Sequence, residues 1–229
     1  MSQIAQQLAN VRRRILQAAT LAGREVSSIQ LLAVSKTHPV TRIQAAIEAG
    51  QRAFGESYVQ EAIPKIEAIA KTRDDIEWHY IGPIQANKTA AIARHFSWVH
   101  SLDRLKIAQR LSEQRPPHLP TLNICIQINT SGEASKSGIE AHALPELVQA
   151  IQALPRLRLR GLMTVPARSE DAQAQRRPFA VLRELLQTLN NQGATLDTLS
   201  MGMSQDLEMA IAEGATIVRV GTDIFGARR

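Results

Sequence analysis

An alternation that runs along nearly the whole chain constrains the fold most. Short apolar runs that read as strands are followed, again and again, by segments with helical spacing. LLAVSK (31–36) leads to a helix over 41–49, with Ile43, Ala46 and Ile47 apolar, Thr41 as N-cap and Gly50 as stop signal. RAFGE (52–56) precedes a helix over 57–71, EWHYIG (77–82) one over 84–95, and SWVHSL (97–102) one over 103–114. The prolines of RPPHLP end the last of these, because proline cannot continue a helix. TLNICIQI (121–128) is the clearest strand; a polar loop, NTSGEASKSG, and a helix near 140–153 follow it. RLRGLMTV (158–165) leads to a long helix near 170–191, and TLDTLS (195–200) to a helix at 204–213. ATIVRV (215–220) runs into GTDIFGAR.

Eight strand–helix units, each of roughly 28 residues, predict an α/β chain with a parallel sheet. The chain has 229 residues, somewhat below the roughly 250 typical of a (β/α)8 TIM barrel, so a compact barrel with few insertions is expected. An open doubly wound sheet would call for a glycine-rich dinucleotide turn, and no G-x-G-x-x-G occurs. With 44% hydrophobic residues there is ample material for a core, and no low-complexity segment splits the chain. One domain over residues 1–229 is the expectation.

Ahead of the first strand, Ile4, Leu8, Val11, Ile15 and Ala19 fall on one helical face. This segment is rich in arginine and has no acid before Glu25, as organelle transit peptides are, but it joins the first strand through only a short polar link. A packed extra N-terminal helix is the preferred reading. No secretory segment and no membrane-length apolar run is present, and Cys125 is the single cysteine, which excludes an intrachain disulfide and a multi-cysteine zinc site. A cytoplasmic location is expected.

The net charge is 27 basic minus 21 acidic residues, or +6. The densest clusters, Arg12-Arg13-Arg14, Arg156-Arg158-Arg160, Arg176-Arg177 and Arg228-Arg229, are dispersed, which favours solvated surface over a nucleic-acid footprint. Aromatic residues make up only 3%, too few for a base-stacking platform. Positive charge also suits a small anionic ligand.

Barrels of this kind bind ligands at the C-terminal ends of their strands, which shortens the search for a site. Lys36 closes the first strand and shares parity with Leu32 and Val34. It is either a Schiff-base lysine for a carbonyl compound or a lysine snorkelling at the rim. SMGMS (200–204) and VGTDIFG (220–226) follow strands seven and eight, where barrels often hold a phosphate. They combine glycine, which allows close backbone approach, with hydroxyl residues; two ordinary turns are the alternative. GTDIFGAR is no P-loop, because Ala227 and Arg228 replace the required Lys-Ser/Thr. Arg219 interrupts an apolar strand and must find an anionic or acceptor partner. His79 and His100, read as lying at strand ends, are bases or satisfied core residues. Ser135-Lys136 is either a loop facing an anion or a solvated turn. Cys125 reads as a small core residue.

LLAVSKTHP, FGESYVQE, WHYIGPIQANK, HSLDR, INTSGEASKSG, LRGLMTVP, LSMGMSQDLEMAI and VRVGTDIFGAR, in this order, resemble the pyridoxal 5′-phosphate homeostasis protein family. The resemblance covers nearly the whole chain. It implies a fold-type III barrel related to the N-terminal domain of alanine racemase, with pyridoxal 5′-phosphate (PLP) held as a Schiff base on Lys36. It also implies that Ser200, Gly202, Ser204, Gly221 and Thr222 cradle the phosphate and that Arg219 stands beside the pyridine nitrogen. Ser57 and Met201 complete the implied cofactor-binding set. Two positions depart from the family pattern: Ser57 stands where members often carry Asn, altering one polar contact, and His38 where Lys is common. The implied role is PLP (vitamin B6) homeostasis and amino-acid and keto-acid balance without efficient turnover, with PLP-dependent enzymes as clients and a monomeric state. Related racemases and decarboxylases complete their sites with a second domain or subunit, for which no residues are left here, and Tyr58 and Tyr80 are the only tyrosines. The competing reading is a small PLP-dependent amino-acid racemase or lyase; a nucleic-acid-binding barrel is a third.

Overall fold

The computed structural model describes residues 2–130, 137–167, 169 and 171–227. Among these, eight parallel strands close into a barrel in sequence order, with β8 pairing back onto β1. The strands are β1 (Gln30–Val34), β2 (Ala53–Glu56), β3 (Glu77–Tyr80), β4 (Trp98–Leu102), β5 (Leu122–Gln127), β6 (Leu157–Met163), β7 (Thr198–Ser200) and β8 (Ile217–Val220). The helices are α1 (Gln3–Leu21), α2 (Val40–Glu48), α3 (Val59–Ala70), α4 (Thr89–His95), α5 (Leu105–Gln114), α6 (Leu144–Gln152), α7 (Ala172–Asn191), α8 (Leu207–Ala212) and α9 (Thr222–Phe225). The expected barrel with its extra leading helix is what forms.

Strand parity divides the core in two. Leu32, Ala53, Trp98, Cys125, Met163 and Ile217 point into the barrel and pack together with Ile81. Their strand neighbours, such as Ala33, Phe54, Val99, Ile124, Leu162 and Val218, point outward and pack with the helices in a second, larger core. Cys125 is fully buried in the inner layer, and burial pushes its thiol up to about 12, so it remains a neutral core residue.

The leading helix is packed, as its periodicity predicts. Ile4, Leu8, Val11, Ile15 and Ala19 are buried, and α1 lies against α2, α8 and α9. Ser2 caps it by accepting a hydrogen bond from the Ala5 amide. In the neighbouring arginine cluster Arg12 and Arg13 are exposed, as expected of solvated surface, and Arg14 is half-buried. Arg12 bonds the Ala49 carbonyl at 3.0 Å, and Arg14 pairs with Glu208 and Asp223.

Several boundaries differ from expectation. Thr41 is not an N-cap: the helix begins one residue earlier, capped by the extended Pro39, and Thr41 falls inside its first turn. β1 ends at Val34, so Lys36 lies in a turn rather than in the strand. The segment expected to be helical from 84 opens as a short 3-10 turn, and regular helix starts only at Thr89. His79 and His100 lie within β3 and β4 rather than at their ends, and both are fully buried. Ser135, Lys136, Arg228 and Arg229 lie outside the described residues. Among the described residues no helix is long and apolar enough to cross a membrane, and no His/Cys/Asp/Glu cluster could hold a metal ion.

Candidate functional site

Closure of the barrel brings β7, β8 and β1 side by side, so the loops after them share one rim. Gly221 backs directly onto β1: a Cβ there would sit 3.2 Å from the Val34 carbonyl oxygen. The half-buried Lys36 follows two residues later in the chain. The three segments named from the sequence are therefore neighbours.

The Lys36 turn is held from behind. Thr37 adopts a φ of +67°, a left-handed conformation uncommon for a residue with a branched side chain. Its amide donates to Glu61 Oε1, and Ser35 Oγ donates to Glu56 Oε1 at 2.7 Å. Lys65 Nζ donates to the Ser35 carbonyl and to Glu56 Oε1, each at 3.0 Å, and also to Glu61. Glu56 is fully buried, and burial raises its pKa while Lys65 opposes the rise. Lys65 and Glu61 share one face of α3, so a helix behind the strands fixes the residues on both sides of Lys36.

Ser57 follows β2 at the same end. It is buried, and its carbonyl accepts from Tyr80 Oη at 3.2 Å. The chain passes so close here that a side chain at Gly82 would collide with the Ser57 backbone. Tyr80 Oη shares its single proton with the Pro83 carbonyl at 2.9 Å, and burial pushes the phenol up to about 12. Tyr80 is thus a neutral structural donor. Tyr58 is half exposed at the start of α3.

On the opposite flank, Gly202 has a φ of +90°, and a Cβ there would lie 2.5 Å from Ala210 Cβ. Only glycine fits both the conformation and the close approach of the loop to α8. The Met201 amide donates to the Ile217 carbonyl, its side chain is buried in the outer core, and the Met203 amide donates to Asp206. The amides of Gly202, Ser204, Gly221 and Thr222 make no hydrogen bond among the described residues. Arg14 ties these two loops together. Its Nη2 donates to the Ser204 carbonyl at 2.8 Å, its Nε to Glu208 at 2.7 Å, and its Nη1 to Asp223 at 2.5 Å. Sequence reading placed Arg14 among dispersed surface charge. Its spacing from Val11 and Ile15 on a packed helix was the one available signal.

Arg219 reaches inward from β8, only 4% exposed, and finds acceptors rather than an ion pair. Nη1 donates to the Ser200 carbonyl at 2.6 Å and to Ser200 Oγ at 2.7 Å, and Nη2 donates to the Thr164 carbonyl at 2.8 Å. Burial lowers its pKa to about 10, which still leaves it charged at neutral pH. Its Nε–H and its second Nη2–H meet no acceptor among the described residues. Ser200 Oγ is also 2.7 Å from His100 Nδ1. The Ser200 hydroxyl is therefore engaged by Arg219 and His100.

A closed barrel with a rim lysine just after β1, glycine loops after β7 and β8 and an inward arginine on β8 defines a class, that of the alanine racemase N-terminal domain. The sequence model of that domain matches residues 6–229. The alanine racemase of Corynebacterium glutamicum shares the fold with a TM-score of 0.69 at 20% identity, over 97% of this chain and 61% of that one. Within the class the likeness is narrower. The chain is 58% identical over 228 residues to the pyridoxal phosphate homeostasis protein of Pseudomonas aeruginosa, covering 100% of this chain and 97% of that protein. The structure of PipY from Synechococcus elongatus, solved with PLP bound, matches with a TM-score of 0.82 and 36% identity over 98% of this chain and 100% of that one. The chain belongs to the pyridoxal phosphate homeostasis protein family.

Proposed function

We propose that this protein binds PLP at the rim formed by β7, β8 and β1 and holds it for PLP homeostasis rather than for efficient turnover. The observation that carries the reading is the set of open backbone donors. Four amides, those of Gly202, Ser204, Gly221 and Thr222, sit on two adjacent loops with no internal acceptor. Gly202 is buried and Ser204 and Gly221 are half-buried, settings in which amides are rarely left unpaired, while Thr222 is exposed. A phosphate offers several strong acceptors at once. Charge-assisted hydrogen bonds to such a group contribute about 1.5–3 kcal/mol each before binding costs are deducted.

Lys36 supplies the amine that joins the cofactor's aldehyde, Ser57 and the Met201 backbone line its surroundings, and Arg219 directs a free N–H at the ring nitrogen. Ser200 serves the Arg219 pole. When bound, PLP provides an electron sink for carbanion chemistry. A guanidinium at the ring nitrogen disfavours protonation there and weakens that sink. Tyr80, held neutral by burial and by two carbonyl contacts, is unsuited to relay protons. The arrangement favours holding and releasing the cofactor, with PLP-dependent enzymes as recipients.

The purified protein should show the visible absorbance band of a lysine-bound aldehyde, and Lys36→Ala should lose it. Holo-protein incubated with a panel of L-amino acids should yield no more than trace D-amino acid or amine. Steady production of either would replace this reading with a racemase or lyase.

A further inference from the structure

A line of polar side chains crosses the inside of the barrel alongside the apolar inner cluster. It starts at the N-terminal end of β3 with Glu77, whose carboxylate accepts from Trp98 Nε1 at 2.6 Å and Gln30 Nε2 at 3.0 Å. His79 Nε2 lies 3.1 Å from Glu77 Oε2, a contact bent too far for a well-formed hydrogen bond. His79 Nδ1 is 2.9 Å from His100 Nε2, and His100 Nδ1 is 2.7 Å from Ser200 Oγ. Ser200 Oγ then meets Arg219 at 2.7 Å. Both imidazoles are fully buried, and the His79 ring stacks parallel to Trp98.

The direction of every bond in this line can be deduced. Arginine only donates, so Arg219 occupies a lone pair of Ser200 Oγ. Among the described residues the Ser200 hydroxyl proton has one acceptor, His100 Nδ1. His100 then carries its proton on Nε2 and donates it to His79 Nδ1. His79 in turn carries its proton on Nε2, facing the Glu77 carboxylate. The reverse order would leave the Ser200 proton without an acceptor and set a bare imidazole nitrogen against a carboxylate. The charged groups facing the histidine pair are Glu77 at one end and Arg219 at the other.

We infer that His79, His100 and Ser200 are positioning residues for Arg219, forming a one-way hydrogen-bonded strut that ends at the cofactor rim and whose other end, at the barrel floor, faces the Glu77 carboxylate. The strut locks both histidines as neutral Nε2–H tautomers and fixes the guanidinium so that its Nε–H and one Nη2–H stay available to a ring acceptor. Burial disfavours charge on both rings, and Arg219 adds to this at His100. The effect on the cofactor rests on the PLP reading above, whereas the tautomers do not.

Nitrogen-15 NMR of histidine-labelled wild-type protein without cofactor tests the strut itself. Both His79 and His100 should appear as Nε2–H tautomers and stay neutral at pH values where an ordinary histidine, with a pKa of about 6.5, is already protonated. An Nδ1–H tautomer at His100, or titration of either ring with an ordinary midpoint, would overturn the inference. PLP titrations of wild type, His100→Gln and Glu77→Gln test the consequence. His100→Gln should weaken PLP binding roughly tenfold or more, as losing the support of one charged hydrogen bond implies. Glu77→Gln, far from the rim, should move the pH midpoint of the bound cofactor's absorbance to lower pH, because an anion facing the strut has been removed. Circular dichroism checks folding; should His100→Gln not fold, Glu77→Gln and the wild-type tautomers decide. If wild type binds PLP and both folded variants match it in affinity and midpoint, the strut has no positioning role. If wild type binds no PLP, the cofactor reading fails, and the inferred service to a ring acceptor fails with it even where the tautomers are as deduced.

Discussion

On the β1–β2 flank of the barrel mouth, the donors of Ser35, Thr37 and Lys65 all meet acceptors supplied by the protein. On the β7–β8 flank, four amides on two adjacent loops do not. The two flanks use the same raw material, short loops at strand ends, and treat it oppositely. One fixes a lysine backbone in a strained turn by giving the donors around it acceptors, with Glu56 Oε2 alone left over in the cluster. The other leaves donors open on a backbone held rigid by Gly202 packing and the Arg14 clamp. Internal satisfaction marks the part that must hold still, and missing acceptors mark where an anion belongs.

The sharpest way to break this contrast is to disturb the satisfied flank. Lys65→Met leaves Glu56 buried, with a charge and no cation beside it. Removing one partner of a buried pair costs about 3–5 kcal/mol, so the variant should be severely destabilised in chemical denaturation. Adding Glu56→Gln should restore much of that loss, since it removes the unpaired charge. A Lys65→Met protein as stable as wild type would show that the cluster does not hold the Lys36 turn.

Gly202→Ala acts on the open flank. It forces a Cβ onto Ala210 in a left-handed backbone, an overpacking cost of about 1–3 kcal/mol. The shifted loop should also weaken inorganic phosphate and PLP binding, measured by calorimetry. Equal stability with unchanged phosphate affinity would separate this loop from the anion site.

The barrel itself was legible in the sequence because it rests on two periods, helical spacing and strand parity, that local residues carry. Leu32 inside and Ala33 outside follow from parity alone. Arg219 was legible as a residue in need of acceptors for the same reason, since a charge in an apolar strand has few alternatives. The histidine strut was not. His79, His100 and Ser200 come from three strands, and Ser200 is a hundred positions from His100. Only closure of the barrel makes them neighbours, and no local pattern encodes that. Thr41 failed as an N-cap because its side chain was weighed without the extended Pro39 that already starts the helix. Nothing local marks Lys65 as buried, because its burial depends on Glu56 in another element.

Acid should sharpen the comparison next. His79 and His100 have pKa values lowered by burial, so the unfolded chain takes up protons that the folded one refuses once the pH drops below the ordinary histidine value of about 6.5. Stability should be flat near neutrality and fall steadily below that point. Glu77, whose carboxylate is lowered by the hydrogen bonds it accepts and by its contact with His79 against the opposing effect of burial, adds loss in the same direction below the ordinary glutamate range. Glu56 runs the other way, since its raised pKa makes the folded state the better proton acceptor. Replacing both histidines with Gln should flatten the upper part of the profile, followed by thermal unfolding from pH 7 to about 5.

The smallest expected effect on stability belongs to Arg14, and it bears most directly on the open flank. Its side chain and those of Glu208 and Asp223 are each a third to a half exposed, so the ion pairs should contribute no more than about 1 kcal/mol. Their placement matters more than their strength. One guanidinium holds the Ser204 carbonyl, the first turn of α8 and the first turn of α9 together, and those segments carry Ser204, Gly221 and Thr222. Arg14→Met keeps the aliphatic stem on the helix face and removes the clamp. It should leave global stability nearly unchanged while lowering phosphate and PLP affinity and speeding amide exchange in residues 201–206 and 221–226. Slowed or unchanged exchange there, with wild-type affinity, would mean that glycine packing alone keeps the donors in place. Arg14→Lys separates geometry from charge: a single ammonium retains the charge but cannot span three acceptors in a fixed fork, so it should behave like Met in exchange and only partly recover affinity.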